Sequence, residues 1–82
     1  MTTIFIMIKC ELGQANEVAA DLVDNVEGVS EVYSISGQYD LLAKFHLDGD
    51  TAIGNFVTTQ VQTRPGIRDT FTIMTFSPFL PS

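Results

Sequence analysis

The run Thr3–Cys10 constrains this chain more than any other feature. Its β-branched and aromatic residues mark it as a strand. Successive side chains of a strand point to opposite faces, so Ile4, Ile6, Ile8 and Cys10 share one side while Phe5, Met7 and Lys9 share the other. Both sides are largely apolar, and each therefore asks for cover.

The following segments show where that cover comes from. Gln14–Val26 reads as a helix whose Ala15, Val18, Ala19, Leu22, Val23 and Val26 form one buried stripe, with Glu17, Asp21 and Asp24 outside it. Gly28 stops it. Val29–Ser36 is a second strand with Val32 and Ile35 directed to the core, Gly37-Gln38 is the turn, and Asp40–Leu47 returns as the third strand of an antiparallel hairpin. On that strand Leu41, Ala43, Phe45 and Leu47 face one way and Leu42, Lys44 and His46 the other. Asp48 and Asp50 supply turn and helix-capping groups. Thr51–Gln62 is a helix with Ile53, Phe56, Val57 and Val61 on its stripe, ended by Pro65. Ile67–Phe76 is the last strand, and residues 77–82, with Pro78 and Pro81, form a tail.

The order is βαββαβ, a split ferredoxin-like α+β unit. It predicts a four-stranded antiparallel sheet with both helices on one face, in a single domain over residues 1–82. The other face is left bare, with Phe5, Met7, Leu42, Phe71 and Ile73 as its candidates and the facing of the last strand open. A bare apolar face of that size is an association surface. Its simplest closure is a two-fold dimer whose sheets stack into an α/β barrel-like assembly.

Size argues the same way. A domain of 82 residues buries only about 60–65% of its unfolded surface. A lone cysteine, Cys10, cannot staple it, and no Cys/His cluster offers a zinc site. Yet 45% of the residues are apolar, so oligomerisation is the expected stabiliser. Four bases (Lys9, Lys44, Arg64, Arg68) stand against ten acids, a net charge of −6. They cannot build the basic patch that neutralises phosphates, so direct nucleic-acid binding by this chain alone is not expected. The start lacks a basic signal-peptide region and no apolar run approaches the ~20 residues of a membrane span. With a single cysteine, a reducing cytoplasm is expected.

The candidate site is the segment Ser36-Gly37-Gln38-Tyr39-Asp40-Leu41, together with Arg64-Pro65-Gly66-Ile67 and the last strand's Thr70, Thr72 and Thr75. Gly37 serves a tight turn needing positive φ, or lets an anion approach backbone N–H groups; the two roles are compatible. Asp40 is either a turn acid bonding backbone or the partner of a ligand ammonium. Tyr39 is strand-start packing or a pocket wall. Thr70 and Thr72 are β-favouring residues or hydroxyl donors to a ligand, and Thr59 is a solvated helix residue or an interface one. His46, the only histidine, has no partner for metal or nucleophilic chemistry and reads as a strand surface residue. Cys10 reads as a small buried hydrophobe.

These pieces, in this order, resemble the effector-binding domain of the leucine-responsive regulatory protein/AsnC family, the regulation-of-amino-acid-metabolism domain. The residues that carry the resemblance are the strand–helix opening, Val29…Val32, Ser36-Gly37-Gln38-Tyr39-Asp40-Leu41, and Pro65-Gly66-Ile67 with Thr70 and Thr72. It covers Thr3 to about Phe76. Full-length members carry a helix-turn-helix domain before this module, and the chain resembles the stand-alone form without it. The resemblance implies dimers assembling into rings, often octamers. It also implies an amino-acid effector at the contact between dimers. By position, Ser36, Gly37, Gln38, Tyr39 and Asp40 would line that pocket, with Thr70 and Thr72 beside it and Thr59 from a neighbouring subunit. Three positions depart from the family's pattern: Gln38 and Thr59 stand where an acid is common, and Arg64 stands where leucine is common. Asp40 is then the main candidate partner for an effector's ammonium.

The leading expectation is an oligomeric amino-acid sensor in transcriptional or metabolic regulation, without cofactor or metal. An interaction module co-assembling with full-length relatives, without its own ligand, is the alternative. A small dimeric ferredoxin-like enzyme would want a His or carboxylate pair inside a pocket. His46 alone does not provide one, so no enzyme is expected.

Overall fold

The computed structural model of the chain describes residues 1–81. β1 (Thr2–Cys10) is followed by α1 (Ala15–Asn25), β2 (Val29–Ser34) and β3 (Leu41–Leu47). Then come α2 (Ile53–Phe56), continued by one π turn over Val57–Val61, and β4 (Ile67–Met74). The sheet order is β2-β3-β1-β4, and every neighbouring pair is antiparallel. This is the expected ferredoxin-like arrangement, and it puts the doubly apolar β1 in the sheet's interior.

The register sorts the faces. Ile4, Ile6 and Ile8 stand opposite Phe45, Ala43 and Leu41 of β3, and all six are fully or almost fully buried. Val18 and Leu22 of α1, Val26 just past its end, and Val57 and Val61 of the second helical segment cover them. On the reverse face Phe5 lies opposite Ile73 and Lys44, while Met7 lies opposite Phe71 and Leu42. That settles the facing of the last strand: all five bare-face candidates share one side. Phe71 and Ile73 are exposed there and no helix covers it.

Several local expectations are corrected. Val23, placed on the buried stripe, is exposed; a helix 11 residues long seats only the strip nearest the sheet. Strand β2 ends at Ser34, so Ile35 falls in the connection and is only half-buried, whereas Val32 packs against the core as expected. The connection is a loop from Ile35 to Asp40, closed by the Ile35 N–H donating to the Asp40 carbonyl at 3.0 Å, rather than a two-residue turn. Asp48 and Asp50 cap nothing: the residue before α2 is Ala52, and no side chain caps the helix. Asp48 contributes its carbonyl, which accepts from Thr51 N–H at 3.0 Å.

The second helix is not the single α-helix expected. After one α turn it widens into the π turn, where Gln62 N–H donates to the Val57 carbonyl at 2.9 Å. Threonine hydroxyls reach back to preceding carbonyls, Thr59 to Asn55 at 2.7 Å and Thr63 to Thr59 at 2.7 Å. Such back-bonding competes with regular helix geometry. Past the turn, Arg64 joins the two helical segments. It lies 3.5 Å from the Asp21 carboxylate and donates to the Gln60 and Asn25 carbonyls. Asp21, read as lying outside the buried stripe, is thus half-buried in this contact.

Candidate functional site

Asp40 is the hinge of the candidate site. Its N–H donates to the Ile8 carbonyl at 2.9 Å, carrying the β1–β3 ladder one residue past the strand. Its carboxylate Oδ2 accepts the N–H of Cys10 at 2.8 Å. Asp40 therefore ties the start of β3 to the end of β1, and one carboxylate oxygen already has a backbone partner. It also walls a cleft of about 250 Å³ with Lys9, Glu11, Leu12, Ala15 and Asn16. Beneath it, burial pushes the Cys10 thiol pKa up, and the nearby Asp40 charge adds to the shift.

Gly37 sits at the crest of the loop with φ at +110° and no atom within 4 Å of where a Cβ would stand. Only glycine adopts that backbone freely. Ser36, Gly37 and Gln38 are all exposed. Tyr39 turns to the open face of the sheet, its ring 6.3 Å from that of Phe71.

The two threonines lie on the other side. Thr70 stands opposite Ile8 and Thr72 opposite Ile6, which places both on the helix-covered face. Thr70 Oγ1 accepts from Gln62 Nε2 at 2.8 Å, beside a cleft of about 310 Å³ lined by Gln62, Ile67, Arg68, Asp69 and Thr70. Thr59 is exposed on the π turn, its hydroxyl engaged with the Asn55 carbonyl. Within one subunit, then, the loop residues Ser36–Asp40 are brought together, while Thr70 with Thr72, and Thr59, stand apart from them.

Two features escaped the reading of the sequence. A cleft of about 620 Å³ lies at the opposite end of β3, between Asn25, Glu27, Gly28, His46, Asp48, Thr51, Phe56 and Gln60. No motif marks it, because its walls come from four separate segments. The other is a polar strip on the open face. Lys44 sits 3.7 Å from Glu31 and 5.9 Å from the Phe5 ring centre, Tyr33 OH donates to Glu31, and Thr3 Oγ1 lies 3.0 Å from His46 Nδ1. The Tyr33 hydrogen bond, with Lys44 nearby, lowers the Glu31 pKa, and the same bond to Glu31 raises the Tyr33 pKa. No group of His, Cys, Asp and Glu fit to hold a metal ion occurs among the described residues. Nor is any of their helices long and apolar enough to cross a membrane.

Comparison with known proteins gives the family and the fold. The model of the Lrp/AsnC ligand binding domain matches residues 3–82. The HTH-type transcriptional regulator FL11 of Pyrococcus abyssi is 33% identical over 70 residues, which are 85% of this chain and 45% of that regulator. The chain spans about half the length of the curated relatives it matches. Among solved structures, FFRP-DM1 superposes with a TM-score of 0.84 at 30% identity, over 93% of this chain and 100% of that one. The transcriptional regulator NMB0573 of Neisseria meningitidis, solved as an L-Met complex, superposes at 0.82 over 99% of this chain and 53% of its own. Its identity of 18% shows a shared fold alone.

Proposed function

The chain belongs to the Lrp/AsnC ligand-binding domain family, and we propose that it is an oligomeric sensor of amino acids serving transcriptional or amino-acid-metabolic regulation. Two copies stack their open sheet faces, and dimers join into a ring in which the effector sits between dimers beside the Ser36–Asp40 loop. The observation that carries this reading is the loop itself. A glycine at φ +110° with empty space around it leaves room for a carboxylate against backbone N–H groups, a known way of binding anions. The Asp40 carboxylate, a few residues on, supplies the opposite charge an ammonium needs. Thr70, Thr72 and Thr59 lie away from this loop in one subunit; in the assembly a neighbouring copy brings its own to it. The L-Met complex of NMB0573 supports an amino acid as the first ligand class to examine.

Binding then shifts assembly, because the effector makes contacts that only the joined dimers offer. Titration calorimetry against the twenty amino acids, on the chain and its Asp40→Asn variant, tests the site. The variant keeps an oxygen for the Cys10 N–H and loses only charge. The expected result is binding by the parent and at least a tenfold loss in the variant, about 1.4 kcal/mol, with thermal stability unchanged. Equal affinity in both removes Asp40 from the site.

A second reading rests on the relatives being HTH-type regulators in which the matched module is about half. The same open face can join this chain to a full-length relative and alter its DNA binding without a ligand. Co-purification with an HTH-type relative is the expected sign, and strict self-association under co-expression is the contrary one.

A further inference from the structure

Six of the ten large apolar side chains that stand exposed lie close together in sequence: Phe71, Ile73, Met74, Phe76, Phe79 and Leu80. The last three follow β4, and at 98%, 99% and 79% exposure nothing in their own chain covers them. Thr75 Oγ1 donates to the Thr3 carbonyl at 2.5 Å, fixing where the segment departs. Because β4 runs antiparallel to β1, residues 76–81 leave past the start of β1 and away from their own sheet. Pro78 and Pro81 lack an N–H and hold φ near −65°, so the segment is stiff and does not extend the ladder.

Charge and area say what such a segment meets. The chain carries −6 overall, yet no charged residue occurs from Thr70 to Ser82. Acidic bodies repel one another, and this is the part through which two copies approach without that penalty. The open face alone is small. Its four strands and seven paired positions along β1, at about 4.8 Å and 3.4 Å spacing, give roughly 450 Å² in projection. A standard interface buries about 800 Å² per partner. Each phenylalanine can bury about 150–250 Å², so Phe76 and Phe79 with Leu80 add a substantial share of such an interface.

We infer that residues Phe76–Pro81 are an exchange arm that packs on a second copy of this chain, at the margin of its open sheet face. There it extends the sheet-to-sheet contact, and the exposed Tyr33 of the outer strand β2 offers the arm an aromatic surface. The inference rests on the sheet-stacked dimer proposed above. Sedimentation velocity over a concentration series, on the full chain, a chain stopped after Thr75, and the double variant F76S/F79S, tests it. Far-UV circular dichroism checks that all three are folded. The full chain is expected to dimerise, and both variants to dissociate about a hundredfold more readily, tenfold for each aromatic removed. A dimer equally tight without the arm overturns the arm and leaves the stacked sheets standing. A full chain that is monomeric at every concentration overturns both. A photo-crosslinker in place of Phe79, in a mixture of two isotope-labelled preparations, separates exchange from folding back. Mixed-label products are expected, and products within single copies alone contradict exchange.

Discussion

Two glycines in this chain share a backbone conformation and differ in what surrounds it. Gly66, at φ +85°, would place a Cβ 2.8 Å from Val18 Cγ2 and 2.9 Å from Gln14 Oε1, so β4's entry rests directly on α1. Gly37, at φ +110°, has open space. Both alanine variants incur the positive-φ penalty of about 1 kcal/mol; only Gly66→Ala adds a steric clash and should lose about 2–3 kcal/mol in all. For a domain of this size 1 kcal/mol is about 4–8 °C in Tm, so thermal denaturation resolves the two. Equal losses would deny the close approach at Gly66. Cys10 gives a second check at this scale. Burial raises its pKa, so the unfolded chain releases the thiol proton first. Stability is therefore unaffected below the ordinary thiol range and falls as pH rises beyond about 8.5. Cys10→Ala should lose that alkaline decline, and an identical slope in the variant would assign it elsewhere. The sequence marks Asp40 as an acid beside a glycine turn. It does not show that the carboxylate accepts the Cys10 N–H, because that partner is thirty positions away and reached only through the sheet.

Strands are the most legible elements here. Alternation alone separates Ile4, Ile6 and Ile8 from Phe5 and Met7, and the sheet keeps that division. Helix ends and the second helix are less so. The stripe Ile53, Phe56, Val57 and Val61 reads as a continuous α-helix, and the apolar spacing holds no sign of the π turn over Val57–Val61. Hydroxyl bonds from Thr58, Thr59 and Thr63 to carbonyls up to four residues back accompany it, and they depend on rotamers that a spacing rule does not see. Two substitutions distinguish packing from local bonding. Val61 is fully buried, so Val61→Ala should lose about 2 kcal/mol in chemical denaturation. Thr59→Ala removes an exposed hydroxyl that opposes regular helix and should stay within about 0.5 kcal/mol of the parent. A large loss at Thr59 would show that the π turn is held by its hydroxyl rather than by Val57 and Val61. Arg64 belongs to this scale too. Its contact with Asp21 is partly exposed and worth at most about 1 kcal/mol, but its bonds to two helix-end carbonyls give this departure from leucine a structural reason.

At the scale of the molecule, the βαββαβ order and one uncovered sheet face follow from the sequence because they depend only on the number and polarity of the segments. The clefts do not, since each gathers residues from distant segments, as the 620 Å³ cleft gathers Asn25, His46 and Gln60. On the function proposed above, an open face of Phe5, Met7, Leu42, Phe71 and Ile73 on a chain of net charge −6 makes self-association the condition for both stability and sensing. Native mass spectrometry of the protein, alone and with a mixture of the twenty amino acids, measures both at once. The expected result is a dimer-based assembly that retains or gains one amino acid per subunit. A monomer in every condition, or an assembly that takes up no amino acid, would contradict it.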